Sequence, residues 1–287
     1  MTTVLPASLT DGLGVRRVRP VSGGDIASAY RLDTAGGPAF LKTHPAPQPG
    51  MFEREAAGLR ALRATGTVHV PEVLRASPDG LVLQWVDEGP RLPRAEAAFG
   101  AELAALHRTT GMRFGGLDAD LASPTGYLGS QPVDLTPTPR WEEFLLERRL
   151  RPLTARAVRL GRLDPSAPGL LDRAAGRLDQ LCGPPEPPTL LHGDLWAGNR
   201  IVDCDAVSWV IDPAVYWGHR EVDLAMMALF GGFGPACFTA YQQVHPLAPG
   251  WQDRVEWYQL TPLLVHAILF AGGYGAAALR VLRAAAR

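Results

Sequence analysis

The stretch LLHGDLWAGNR, Leu190 to Arg200, places His192, Asp194, Trp196 and Asn199 directly behind two leucines. The leucines read as the core of a strand. A histidine, a carboxylate and an amide at this spacing form either a catalytic loop or a capped polar turn. The rest of the chain decides between them.

The chain has 287 residues, 46% hydrophobic and 20% charged, enough for a core in one large domain or two lobes. With 28 basic and 29 acidic residues the net charge is −1, so neither nucleic acid nor an anionic membrane is expected as a partner. The opening MTTVLPASLT lacks the basic segment and apolar run of a signal peptide. The longest apolar runs, LAMMALFGGF and PLLVHAILFAGG, fall short of the ~18 residues that span a bilayer. Cys182, Cys204 and Cys237 are odd in number and unpatterned, which predicts reduced, buried thiols in a cytoplasmic protein. Lys42 is the only lysine beside 27 arginines. A lysine kept alone in an arginine-rich chain marks a position where a compact ammonium serves and a planar guanidinium does not.

Residues 13–43 read as a β-meander. VRRVRPVSGG and SAYRLDTAGG each end in a Gly pair, and PAFLKTH follows with Lys42 near its end. A helix is expected over Met51–Ala64. Phe52, Ala56, Leu59 and Leu62 share one face of it, and Glu55 falls within that stripe. A carboxylate there requires a cationic partner. VHVPEVLRAS and GLVLQWVDEG read as two further strands, and Gly89, Pro90 and Pro93 then mark a boundary. Beyond it lie a helix with Phe99, Leu103 and Leu106 on its apolar face, a Pro/Gly-rich loop over roughly 111–139, and a helix opening at Trp141. Helices and loops follow to the C-terminus, interrupted by two short strands in RIVDCDAVSWVIDP. The expected class is α+β in two lobes, with a small β-rich N-lobe over 1–87 and a larger helical C-lobe over 88–287.

The order of parts is informative. Gly23 and Gly24 in a strand turn precede a lone Lys42 on a strand, then Glu55 on a helix. Next come an extended connection, the H-x-D-x-x-x-x-N loop, and Asp212, thirteen residues after Asn199. Alone, the Gly pair is a hairpin signal and Asp212 a turn cap. Together they are the parts of a protein-kinase-like phosphotransferase fold. Asp194 would accept the proton of an attacking hydroxyl. Asn199 and Asp212 would offer hard oxygens to Mg²⁺. Lys42, oriented by Glu55, would hold the phosphates of ATP, and Gly23 and Gly24 would let the backbone approach them. His-Gly-Asp stands where protein kinases have His-Arg-Asp, and no activation loop follows Asp212. A small-molecule kinase is expected.

HGDLWAGN, IDPAVYWGHREVDLAMMALFGGF, the stretch from AYQQVHPLAPGW to AGGYGAAAL, SGGDIASAYRLD and MFEREAAGLRAL together resemble the fructosamine kinase (ketosamine-3-kinase) family over roughly residues 15–283. The resemblance implies transfer of the γ-phosphate of ATP to the 3-hydroxyl of ketoamines such as ribulosamines or fructosamines, which serves deglycation; no obligate protein partner is evident in the sequence. By the same resemblance Asp194 is the base, Asn199 and Asp212 are the metal ligands, and Lys42 and Glu55 form the ion pair. The backbone of Gln84, Trp85 and Val86 meets the adenine. Trp196 walls the sugar site, His266 lies near the substrate, and Trp141 lines the substrate side. From the residues alone, Trp196 could equally be a core indole and His266 a satisfied core histidine. Asp223 is expected to brace the loop, and His192, His219 and Arg220 to be structural. Leu135 and Ala27-Ser28 depart from the family pattern near the expected cleft. Asp25 stands where some relatives carry a redox-active cysteine, so no such switch is expected. Two alternatives remain: a kinase for another hydroxylated metabolite or an aminoglycoside, thinly supported by Asp134 alone in its loop, and a nucleotide-binding pseudokinase, opposed by the complete residue set.

Overall fold

In the computed structural model, residues 5–21, 27–90, 92–117 and 124–287 are described. After a short helix α1 (Ala7–Thr10), the expected meander appears as β1 (Arg17–Val21), β2 (Ser28–Thr34) and β3 (Gly37–Thr43). Following α2 (Met51–Ala64), β4 (Val73–Ser77) and β5 (Gly80–Gln84) complete one sheet. Its order is β1-β2-β3-β5-β4, antiparallel throughout. On the central strand β3 the side chains alternate. Ala39 and Leu41 pack with Leu9, Leu32 and Val82 on one face. Phe40 packs on the other, and Lys42 shares its side.

α2 covers that second face. Phe52, Ala56, Leu59 and Leu62 are fully buried, and Glu55 is buried beside them, as the helical wheel requires. A Cβ at Gly58 would lie 2.8 Å from Val215 Cγ2, so glycine here lets α2 approach the chain just beyond Asp212. The same apolar cluster continues through Phe99 and Leu103 to Leu190, Val210, Val215 and Leu224. At about 2 kcal/mol per fully buried aliphatic side chain, this shared core fixes the sheet against the helical part.

The helical part begins with α3 (Pro93–Leu106), which carries proline in its first turn, where no N–H is needed. α4 (Trp141–Leu145) runs through a π-helical turn, Leu146–Leu150, into α5 (Arg151–Arg159). α6 (Ala167–Ala175) and α7 (Leu178–Leu181) follow. The C-terminal run comprises α8 (Glu221–Phe230), α9 (Pro235–Val244), α10 (Trp251–Tyr258), α11 (Leu260–Phe270) and α12 (Tyr274–Ala285).

Three expectations need correction here. The loop expected over 111–139 contains a hairpin, β6 (Thr125–Leu128) with β7 (Gln131–Asp134). Its strands are four residues long and one carries Pro132, which only an edge strand accepts, so neither shows a period. Besides the expected ribbon of β9 (Arg200–Val202) and β10 (Ser208–Val210), a second ribbon pairs β8 (Thr189–Leu191) with β11 (Tyr216–Gly218). Of the cysteines, Cys182 and Cys237 are buried and Cys204 is exposed at the β9–β10 turn, so only two serve as core filler. Among the described residues no helix is long and apolar enough to cross a membrane.

Candidate active site

The chain leaves β8, turns through His192 and Gly193, and delivers Asp194 at the mouth of the two ribbons. Gly193 has φ +82°, and a Cβ there would lie 2.1 Å from the Ala214 carbonyl oxygen. This geometry excludes arginine at the position. Asp223, fully buried in the first turn of α8, accepts the N–H of His192 at 2.8 Å and of Gly193 at 2.9 Å. It thus braces the loop, with His107 Nε2 at 3.2 Å and Tyr241 Oη at 2.8 Å from His107 Nδ1. Burial raises the Asp223 carboxyl, but His107 and these backbone donors outweigh it and hold the group below the ordinary range. His192 is structural: its Nε2 lies 2.9 Å from the Ile211 carbonyl, and its Nδ1 accepts the Asp194 N–H at 3.3 Å. His219 and Arg220 are structural too. His219 is buried against Tyr258 and Arg220 is clamped by Glu186 at 2.7 Å.

Lys42, Glu55, Asp194, Asn199 and Asp212 form one connected cluster. Lys42 Nζ donates to both Glu55 oxygens at 3.0 and 2.9 Å and lies 3.1 Å from Asp212 Oδ1. Burial opposes the lysine's charge, but Asp212 and Glu55 outweigh it and hold the ammonium above its ordinary range. Asn199 Nδ2 donates to the Asp194 carbonyl at 2.8 Å and to Asp194 Oδ2 at 3.2 Å. Its Oδ1 is thereby left as an acceptor on the other side of the amide. Burial, then the Asp212 charge, push the Asp194 carboxyl up to about 7. Asp212 occupies the left-handed region at φ +51°, a small strain of the kind that gathers at functional sites.

Asn199 Oδ1 and the Asp212 carboxylate are hard oxygen donors and suit Mg²⁺, which takes its remaining ligands from phosphate and water. Among the described residues no group of three or more His, Cys, Asp or Glu could by itself hold a metal, so the pair would depend on such outside oxygens.

Gln84 ends β5, its N–H donated to the Glu72 carbonyl at 2.8 Å. Trp85 lies under Arg31 at 4.6 Å and donates to Asp87 at 2.7 Å, and Val86 is half-buried. The connection is then pinned by Gly89 N–H on the Val202 carbonyl at 2.7 Å, against the strand that follows Asn199. Gly23, Gly24 and Asp25 lie outside the described residues.

Trp196 is 39% exposed, so it is not a core indole. Its ring meets Phe230 edge-on at 6.0 Å, and Phe230 lies 4.9 Å from His266. His266 also contacts Tyr274 at 5.0 Å and Phe270 at 5.4 Å. Its Nδ1–H donates to the Pro262 carbonyl at 2.8 Å and burial lowers its pKa, so the neutral ring keeps Nε2 as an acceptor. Phe230 is the link that the sequence reading missed. It ends a helix just before Gly231, and no periodicity separates it from core phenylalanines.

Trp141 is corrected: it is 5% exposed, packed against Phe114, Phe144 and Tyr258, with its indole N–H on Tyr258 Oη at 3.2 Å. It belongs to the helical core and offers no face to a ligand. Leu135 is likewise buried, against Gly126. It therefore faces the core instead of the cleft. Ser28 opens β2 opposite Thr43, next to Lys42.

A family model for fructosamine kinase matches residues 1–287. The chain is 38% identical over 277 residues to a "Probable ketoamine kinase" of Lactiplantibacillus plantarum, covering 96% of this chain and 95% of that protein. It is 32% identical over 287 residues to the chloroplastic protein-ribulosamine 3-kinase of Arabidopsis thaliana, covering 96% and 84%. The solved structure of a candidate fructosamine-3-kinase from Thermobifida fusca superimposes with TM-score 0.88 at 40% identity, covering 97% and 96%. An aminoglycoside phosphotransferase, APH(2")-IIa, solved with streptomycin and ATP, shares the fold at TM-score 0.64 and 14% identity. The fold is α+β and protein-kinase-like.

Proposed function

The chain belongs to the fructosamine kinase family, and from that premise we propose that it transfers the γ-phosphate of ATP to the 3-hydroxyl of a small ketoamine. Ribulosamine and fructosamine adducts are the leading substrates, and the product's instability releases the amine, which makes the reaction a deglycation. The observation that carries the reading is the connected cluster of Lys42, Glu55, Asp194, Asn199 and Asp212.

Asp194 accepts the hydroxyl proton as the sugar oxygen bonds to the γ-phosphorus and the bond to the ADP oxygen breaks. Lys42, held by Glu55, binds the α- and β-phosphates. Asn199 and Asp212 would hold Mg²⁺, which would supply charge neutralisation at the phosphates. Residues 1–87 act as the nucleotide lobe, with adenine against the backbone of Gln84, Trp85 and Val86 and with Gly23 and Gly24 near the phosphates. Residues 88–287 supply the base, the metal ligands and the sugar site, where Trp196, Phe230 and His266 form a wall. Ring faces suit the C–H surface of a sugar. The unpaired cysteines support a reducing compartment, the cytoplasm.

The test is a coupled assay of ADP release over ribulosamine, erythrulosamine, fructosamine and aminoglycosides, with the product's phosphate located by NMR. Phosphate on O3 of a ketoamine is the expected result. Turnover with aminoglycosides alone, or with none of the panel, overturns the reading.

A further inference from the structure

Both candidate metal ligands leave the same rung of the β9–β10 ribbon. The ladder pairs Arg200 with Val210, Asn199 immediately precedes Arg200, and Asp212 follows Val210 by two residues. The Ile211 N–H donates to the Asn199 carbonyl at 3.0 Å, which closes the rung. The spacing of the two oxygen donors is therefore set by whatever fixes this rung in the molecule.

Arg200 is 3% exposed, and each of its guanidinium nitrogens has a partner. Nε donates to Ser208 Oγ at 3.1 Å, Nη1 to Glu96 Oε1 at 2.7 Å, and Nη2 to the Ala95 carbonyl at 3.2 Å. The guanidinium also lies over the Phe99 ring at 4.7 Å. The rung is thus bolted to the first turn of α3. The second oxygen of Glu96 accepts the Gly234 N–H at 2.7 Å. Gly234 ends the short loop after Phe230, and Phe233 in that loop stacks on Phe99 at 5.8 Å. One carboxylate therefore joins the metal-ligand rung to the loop behind the aromatic wall.

Stability alone does not account for this arrangement, because apolar side chains of similar volume hold a ribbon to a helix as well as a buried ion pair does. A guanidinium fork contributes direction, since three bonds in one plane fix both the position and the rotation of the strand. We propose that Arg200 and Glu96 are positioning residues, which hold Asn199 and Asp212 at the spacing that takes the divalent cation and couple that spacing to the loop that follows Phe230. The proposal rests on the Mg²⁺·ATP reading above.

Calorimetry with a non-hydrolysable ATP analogue, with Mg²⁺ and again in EDTA, tests it on the full chain. Outer residues that orient metal ligands typically alter metal affinity about tenfold or more. In Arg200→Met the Mg²⁺-dependent gain in analogue affinity is expected to fall by about that factor, with affinity in EDTA unchanged. Arg200→Lys should recover part of the gain, because an ammonium reaches Glu96 but does not also bond Ser208 and Ala95. If Arg200→Met fails to fold, Glu96→Gln decides, since it keeps the oxygen that Gly234 requires while removing the charge. A folded Arg200→Met or Glu96→Gln protein with the wild-type Mg²⁺ gain overturns the proposal. A wild-type protein whose analogue affinity ignores Mg²⁺ overturns the ATP reading itself, a result distinct from failure in the variants.

Discussion

Lys42 Nζ stands 3.1 Å from Asp212 Oδ1 while Glu55 grips it at 2.9 Å. The three charges come from β3, from α2 and from the turn after β10. Their meeting depends on the close contact of Gly58 with Val215. Lys42→Arg is expected to lower kcat/KM by about 10²-fold, because the longer planar fork displaces the phosphates from in-line geometry. Glu55→Gln should raise the KM for ATP more than it lowers kcat. Steady-state kinetics with ATP varied separates the two effects.

As the proposed base, Asp194 can take the hydroxyl proton only when ionised. Burial and Asp212 push its carboxyl up to about 7, so kcat/KM should rise with pH through about that value and then level. Lys42, held above its ordinary range, stays charged across that plateau. Asp194→Asn should lower kcat by about 10²–10⁴-fold and leave nucleotide binding in place. A pH–rate profile and a binding isotherm check this.

Gly193→Ala places a methyl group against the Ala214 carbonyl at a backbone angle suited to glycine. A loss of about 3 kcal/mol or more is expected, read from the urea midpoint. Activity should fall further than stability, because the displaced residue adjoins the base.

Asp223 links stability to acid. Its folded carboxyl lies below the ordinary value of 3.8. Its contribution is thus complete above about pH 4 and is lost as pH falls through the folded pKa. Asp223→Asn should cost about 2–4 kcal/mol at neutral pH, since an amide cannot serve both backbone donors and His107. Urea unfolding at several pH values should show a shallower acid limb in the variant.

Trp196→Ala and Trp141→Ala should separate cleanly. The first removes an exposed ring and is expected to raise the ketoamine KM about tenfold with little change in melting temperature. The second empties a core site and should cost about 3–5 kcal/mol of stability. Equal loss of stability in both would place Trp196 in the core after all.

Residues whose place in the candidate site is written in local pattern were legible from the chain. Lys42 announced itself as a solitary lysine, Glu55 as a carboxylate on an apolar helical stripe, and Asp194 and Asn199 by their spacing within one loop. The fold class followed from alternation and glycine pairs in the first third and helical periodicity afterwards. Three-residue strands such as Tyr216–Gly218 have no period to read. An indole has the same letter whether it faces solvent or core, so Trp196 and Trp141 could be told apart only by what packs against them. The sequence alone determined which chemical groups the site contains, because side-chain type and local spacing are covalent facts. Only the tertiary structure decided that Asp212 reaches Lys42, that Phe230 joins Trp196 to His266, and that Glu96 answers Arg200. Those pairs are brought together by burial of apolar surface between elements far apart in the chain.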